Sequence, residues 1–150
     1  MNKTLIKEQL EKAANALMQK QPNLFKFTSE THQTEWNIAH HFAIELHKLF
    51  PDYDCDLDVI KPNLDRKRPD IILHERGSQN ANFLVVEVKR DRNDVEGDLN
   101  KIKKYWFDGR LKYQFGAAVV IREGEDVLVR AIRNIASRKM IGYLLVALVA

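Results

Sequence analysis

The chain has 150 residues, with 24 Lys and Arg against 21 Asp and Glu, a net charge of +3 and 45% hydrophobic residues. This length supports one domain with a core that needs no staples. The single cysteine, Cys55, excludes an internal disulfide and suits a reducing, cytoplasmic setting.

In chain order, Ile6, Leu10, Ala13 and Leu17 recur at helical spacing and predict an N-terminal amphipathic helix over residues 1–22, stopped by Pro22. It would cover an open sheet edge or pair with a second subunit. A second helix is expected from Thr34 to Phe50, with Glu35, Ala39, Phe42, Leu46 and Phe50 on its core-facing stripe; Glu45 lies off that stripe and reads as solvated. Tyr53 to Ile60 alternates Cys55, Leu57 and Val59 with Asp54, Asp56 and Asp58, which reads as a strand with one wet face rather than a metal site. Further strands follow at Ile71 to Leu73 and Phe83 to Lys89, joined by a turn-like linker. Val95, Leu99, Ile102 and Trp106 give another helix, with Gly109 as its stop. Phe115 to Ile121 is then a buried strand, parallel to the one before because a helix crosses between them. Glu123 and Gly124 turn the chain into a last strand from Val127 to Ile132. The apolar segment from Ile141 to Ala150, within a terminal element at 134–150, falls short of the roughly 20 residues that span a bilayer. No signal-type apolar region opens the chain, so neither secretion nor a membrane partner is expected.

Three charges break this pattern. Asp70 opens one apolar strand, after Arg68 and Pro69, and Glu87 and Lys89 close the next. Charge in an apolar sheet is costly unless it is paired or binds a metal. A turn centred between Ser78 and Gln79 sets Asp70 opposite Glu87, at the roughly 4.5–5.5 Å that separates facing residues. Strand periodicity puts Lys89 on the same face as Glu87. Two carboxylates so close repel each other, and a hard divalent cation removes the repulsion. The plainer alternative is an ion-pair cluster that caps a strand end.

Pro69-Asp70 followed by Glu87-Val88-Lys89 resembles the signature of the PD-(D/E)XK nuclease superfamily, over roughly Thr34 to Arg122. The resemblance implies an α/β fold with a restriction-endonuclease-like αβββαβ core, a mixed central sheet flanked by helices, here with an extra N-terminal helix. The whole chain, 1–150, would then be one nuclease-like domain with its core at about 34–122. It further implies Asp70 and Glu87 as ligands of Mg²⁺, for which Mn²⁺ could substitute, with the Val88 carbonyl as a third. Lys89 would act on the nucleophile or transition state, and Glu35 matches the acid that many members carry on the preceding helix. Lys101 and Tyr105, at i, i+4, correspond loosely to a substrate-contacting pair.

Basic residues gather around the motif: Lys61, Arg66, Lys67 and Arg68 before it, and Arg90, Arg92, Lys101, Lys103, Lys104, Arg110 and Lys112 after it. This placement suits a phosphate-rich partner. Arg68, Arg90, Lys101, Lys104 and Tyr105 are the expected contacts. The function expected from sequence is Mg²⁺-dependent hydrolysis of nucleic acid, DNA more than RNA, with a homodimer as one arrangement. The rival is a non-catalytic nucleic-acid-binding or assembly module of the same fold.

Overall fold

Apolar residues at two periodicities, 3.6 and 2, build three layers in the computed structural model, which describes residues 1–25, 35–60, 67–78, 81–90, 92–108, 111–122 and 124–135. Helix α1 (Lys3–Lys20) starts where the Asn2 side chain accepts the Leu5 N–H at 2.9 Å. Helix α2 (Glu35–His47) follows. Strands β1 (Asp54–Leu57), β2 (Ile71–His74) and β3 (Leu84–Lys89) come next, then helix α3 (Val95–Lys101), which runs directly into a π-helical segment (Ile102–Phe107). Strands β4 (Phe115–Val120) and β5 (Leu128–Arg133) follow.

The five described strands lie side by side in chain order as one mixed sheet. β1, β2 and β3 are successively antiparallel, β4 runs parallel to β3, and β5 is antiparallel to β4. The sheet is thus α/β in class, with the expected parallel crossover between β3 and β4. Alternation along β3 sends Val86 and Val88 to the α1–α2 side, where they join Ile6, Leu10, Phe42 and Leu46. Val85 goes to the other side, with Ile72, Leu99, Ile102 and Trp106. Helix α1 rests on α2 and over β4 and β5, so its apolar stripe is part of the main core.

Two local departures have clear physical causes. The α3 stripe does not continue as an α-helix. Its last turn widens to i→i+5 bonding, with the Asp108 N–H donating to the Lys103 carbonyl at 3.2 Å, and this turns Phe107 into the core beside Trp106. Gly116 on β4 makes room for that widened turn, since a Cβ there would overlap the Ile102 side chain. Glu45 is not solvated as its position off the stripe suggests. α1 packing brings Lys20 over it at 2.6 Å, Lys48 grips its other oxygen at 2.7 Å, and the two ammonium groups hold its carboxyl below the usual range. Thr34, Gly109, Glu123 and the segment from Ile141 to Ala150 lie outside the described residues, as do Lys61, Arg66 and Arg110. No described helix is long and apolar enough to cross a membrane.

Candidate functional site

The β2–β3 register pairs Ile71 with Val86, Ile72 with Val85 and Leu73 with Leu84. Continued by one residue, it sets Asp70 opposite Glu87, as the turn-centred reading expects. Asp70 lies just before β2, and its Oδ2 accepts the Val88 N–H at 2.7 Å. The side chain therefore takes the place of the next ladder partner at the end of the hairpin. Glu87 and Lys89 stand on the α3 face of β3, the two half-buried positions in an otherwise buried strand.

The electrostatics of this patch are under tension. Burial pushes the Glu87 carboxyl up to about 8, helped by the neighbouring Asp70 and Asp98 carboxylates and opposed by Lys89 and Lys101. Burial also raises Asp70; the Val88 N–H and Lys89 pull it back, while Glu35 and Asp98 push it further up. For Lys89, burial disfavours the ammonium, but Glu35, Asp98 and Asp70 outweigh that effect and keep it firmly protonated. Its Nζ sits 3.7 Å from Glu35 Oε2 and 3.7 Å from Asp98 Oδ2. Glu35, in the first turn of α2, reaches past the end of the sheet from the opposite layer. Its Oε1 accepts the Arg90 N–H at 3.3 Å. The structure therefore brings together Asp70, Glu87, Lys89 and Glu35, all four acid–base residues expected from sequence.

Asp98 is the residue that sequence reasoning passed over. It sits in the first turn of α3 with only 2% of its side chain exposed, its Oδ1 2.8 Å from Lys101 Nζ. The signal was present: Asp98 follows Val95 by three and precedes Ile102 by four, so it shares their buried face. An acid on an apolar stripe breaks the same rule that exposed Asp70 and Glu87.

The expected nucleic-acid contacts divide. Lys104 lies 5.1 Å from the Tyr105 ring centroid and Lys67 lies 5.6 Å from it, so one aromatic ring carries two cations. Lys101 is turned to Asp98, and that bond raises its pKa. Arg68 pairs with Asp58 at 3.0 Å. Arg90 gives its backbone N–H to Glu35. Trp36, next to Glu35, is exposed and stacks on His40 with ring centroids 5.9 Å apart.

At the opposite end of the same face, the Asp54–Asp56 row is paired rather than openly solvated. Arg76 bridges Asp54 and Asp56, and the buried His74 ring lies 2.8 Å from Asp56 Oδ2. The Arg76 guanidinium, with His74, holds the Asp56 carboxyl down at about 2. Cys55 is half-buried, and burial lifts its thiol to about 11, which makes it an inert core side chain.

Among the described residues, no three His, Cys, Asp or Glu side chains converge as a ready-made metal cage. Comparison of the chain with protein-family models, curated proteins and solved structures finds no match.

Proposed function

We propose that this chain is a Mg²⁺-dependent nuclease with a restriction-endonuclease-like fold, acting on DNA more than RNA, and that Asp70, Glu87 and Lys89 are its working residues. One observation carries the reading. Two half-buried carboxyls face each other, a lysine stands on the same sheet face, and burial, with the Asp70 carboxylate second, lifts Glu87 to about 8. Four carboxylates (Glu35, Asp70, Glu87 and Asp98) meet two ammonium groups (Lys89 and Lys101), so the fully ionised cluster lacks two positive charges. One divalent cation supplies them.

The donor set fits Mg²⁺, a hard ion commonly held by one or two carboxylates with water and substrate phosphate completing its shell. Asp70 and Glu87 would hold it. The Val88 carbonyl is a natural third oxygen, because a strand residue sends its C=O off the same edge as its N–H, and that N–H already meets Asp70. When bound, such an ion lowers the pKa of water and polarises a phosphoryl oxygen. Lys89 places a fixed positive donor where charge builds on the phosphate and orients the attacking water. Glu35 steadies that amine from the α2 layer and orients water at the outer side of the site. Tyr105 with its neighbouring Lys67 and Lys104, and Trp36 exposed beside Glu35, supply the mixture of cations and aromatic faces that holds unpaired strands.

The test is a cleavage panel of single-stranded, duplex and branched DNA and RNA, with Mg²⁺ and with Mn²⁺. Glu87→Ala and Lys89→Ala should each lower cleavage at least about 100-fold, with unchanged circular dichroism. Full activity in both variants overturns the assignment. Calorimetric titration with Mn²⁺ separates an enzyme from a binding module that has no metal affinity.

A further inference from the structure

We propose that Asp98 is the positioning residue for Lys89: a buried carboxylate that fixes the lysine amine over the Asp70–Glu87 pair, itself braced from outside by Lys101. The proposal rests on the nuclease reading for its catalytic consequence, but the contact it invokes is independent of that reading.

The placement of Asp98 demands a reason. A carboxylate with 2% exposure loses nearly all its hydration, a cost repaid only by charge partners. Lys101 alone, at 2.8 Å from Oδ1, would serve an acid whose task was to end a helix neatly. Only one oxygen is spent that way. Oδ2 has no hydrogen-bond partner among the described residues, and Lys89 Nζ stands 3.7 Å from it. The carboxylate is therefore divided, one oxygen toward the rim of the protein and the other toward the site.

Geometry then assigns the role. The Lys89 side chain is long and unbranched, and its amine has many rotamers unless it is tethered. It is bracketed from two layers at equal distance, by Glu35 of α2 and Asp98 of α3. The brackets are unequal in strength. Glu35 is 38% exposed, so solvent screens its pull, whereas Asp98, only 2% exposed, is screened far less. Asp98 is the stiffer tether, and its helical position is locked by the buried neighbours Val95 and Leu99. Lys101 accordingly contacts Asp98 as a brace, which assigns it a different task from direct nucleic-acid contact.

Two measurements test this. The first is a double-mutant cycle on the urea unfolding of the metal-free protein with Asp98→Asn, Lys89→Met and the pair, beside a parallel cycle with Glu35→Gln. The Asp98–Lys89 coupling should change the unfolding equilibrium constant at least fivefold, and the Glu35–Lys89 coupling less than twofold. An Asp98–Lys89 coupling below twofold overturns the proposal. Asp98→Ser serves in the same cycle if Asp98→Asn does not fold. The second is steady-state cleavage at saturating Mg²⁺, where Asp98→Asn should lower kcat at least tenfold with KM for the nucleic acid within threefold. An unchanged kcat overturns the positioning role even if the coupling is found. A wild-type protein that cleaves nothing refutes the nuclease reading, while the cycle still decides the Asp98–Lys89 contact.

Discussion

In the metal-free protein Glu87 keeps its proton at neutral pH, because burial first and the Asp70 carboxylate second oppose its ionisation. Its folded-state pKa, about 8, lies above the ordinary 4.5, so the folded chain binds more protons than the unfolded one between those values. Stability from this group is complete below about pH 4.5 and is lost as pH rises through 8. Urea unfolding of the metal-free protein from pH 5 to 8.5 should show this decline, and Glu87→Gln should flatten it. An unaltered slope in that variant would show that Glu87 is not the group responsible. At this scale the sequence revealed Asp70, Glu87 and Lys89 because each violates an apolar strand. It hid the true condition of Glu45 and Asp98. Whether a charge off the stripe is solvated or gripped depends on which lysines packing brings near, and Lys20 reaches Glu45 from a helix 25 residues away.

Helices and strands were legible wherever one face is continuously apolar, as in α1 and β4. The π-helical segment was not, because its stripe of Val95, Leu99, Ile102 and Trp106 is what an ordinary α-helix presents. The extra width is needed only once β4 is in place, where Ile102 and Phe107 press on the bare backbone of Gly116. Gly116→Ala should therefore force Ile102 aside and cost about 1–3 kcal/mol, read as a lower urea midpoint with an unchanged slope. A variant as stable as the parent would mean that the contact is slack. The Asp54–Asp56 row is a second case. Alternation identified a strand with one polar face, but only the hairpin brings Arg76 and His74 onto it.

Across the whole molecule, the two helical layers meet at one end of the sheet, α2 sending Glu35 and α3 sending Asp98 to the same lysine of β3. Folding thus assembles the carboxylate cluster that the proposed divalent cation would neutralise, and binding it should stabilise the entire domain. Mg²⁺ at a hundredfold excess over its dissociation constant should add about 2.7 kcal/mol, a rise in Tm of about 5–10 °C for a chain of this size. Asp70→Asn should abolish the rise, and Ca²⁺ or Mg²⁺ giving none in the parent would remove the basis for a cation site. The sequence by itself determined the α/β class, the order of elements and the strand-end acids with their lysine, because periodicity and hairpin register are local properties of the chain. Only the tertiary structure decided that Glu35 and Asp98 close on Lys89 from opposite sides. That convergence joins residues 54 positions apart on one flank and nine on the other, through packing against a common sheet, and no local pattern encodes which layers meet.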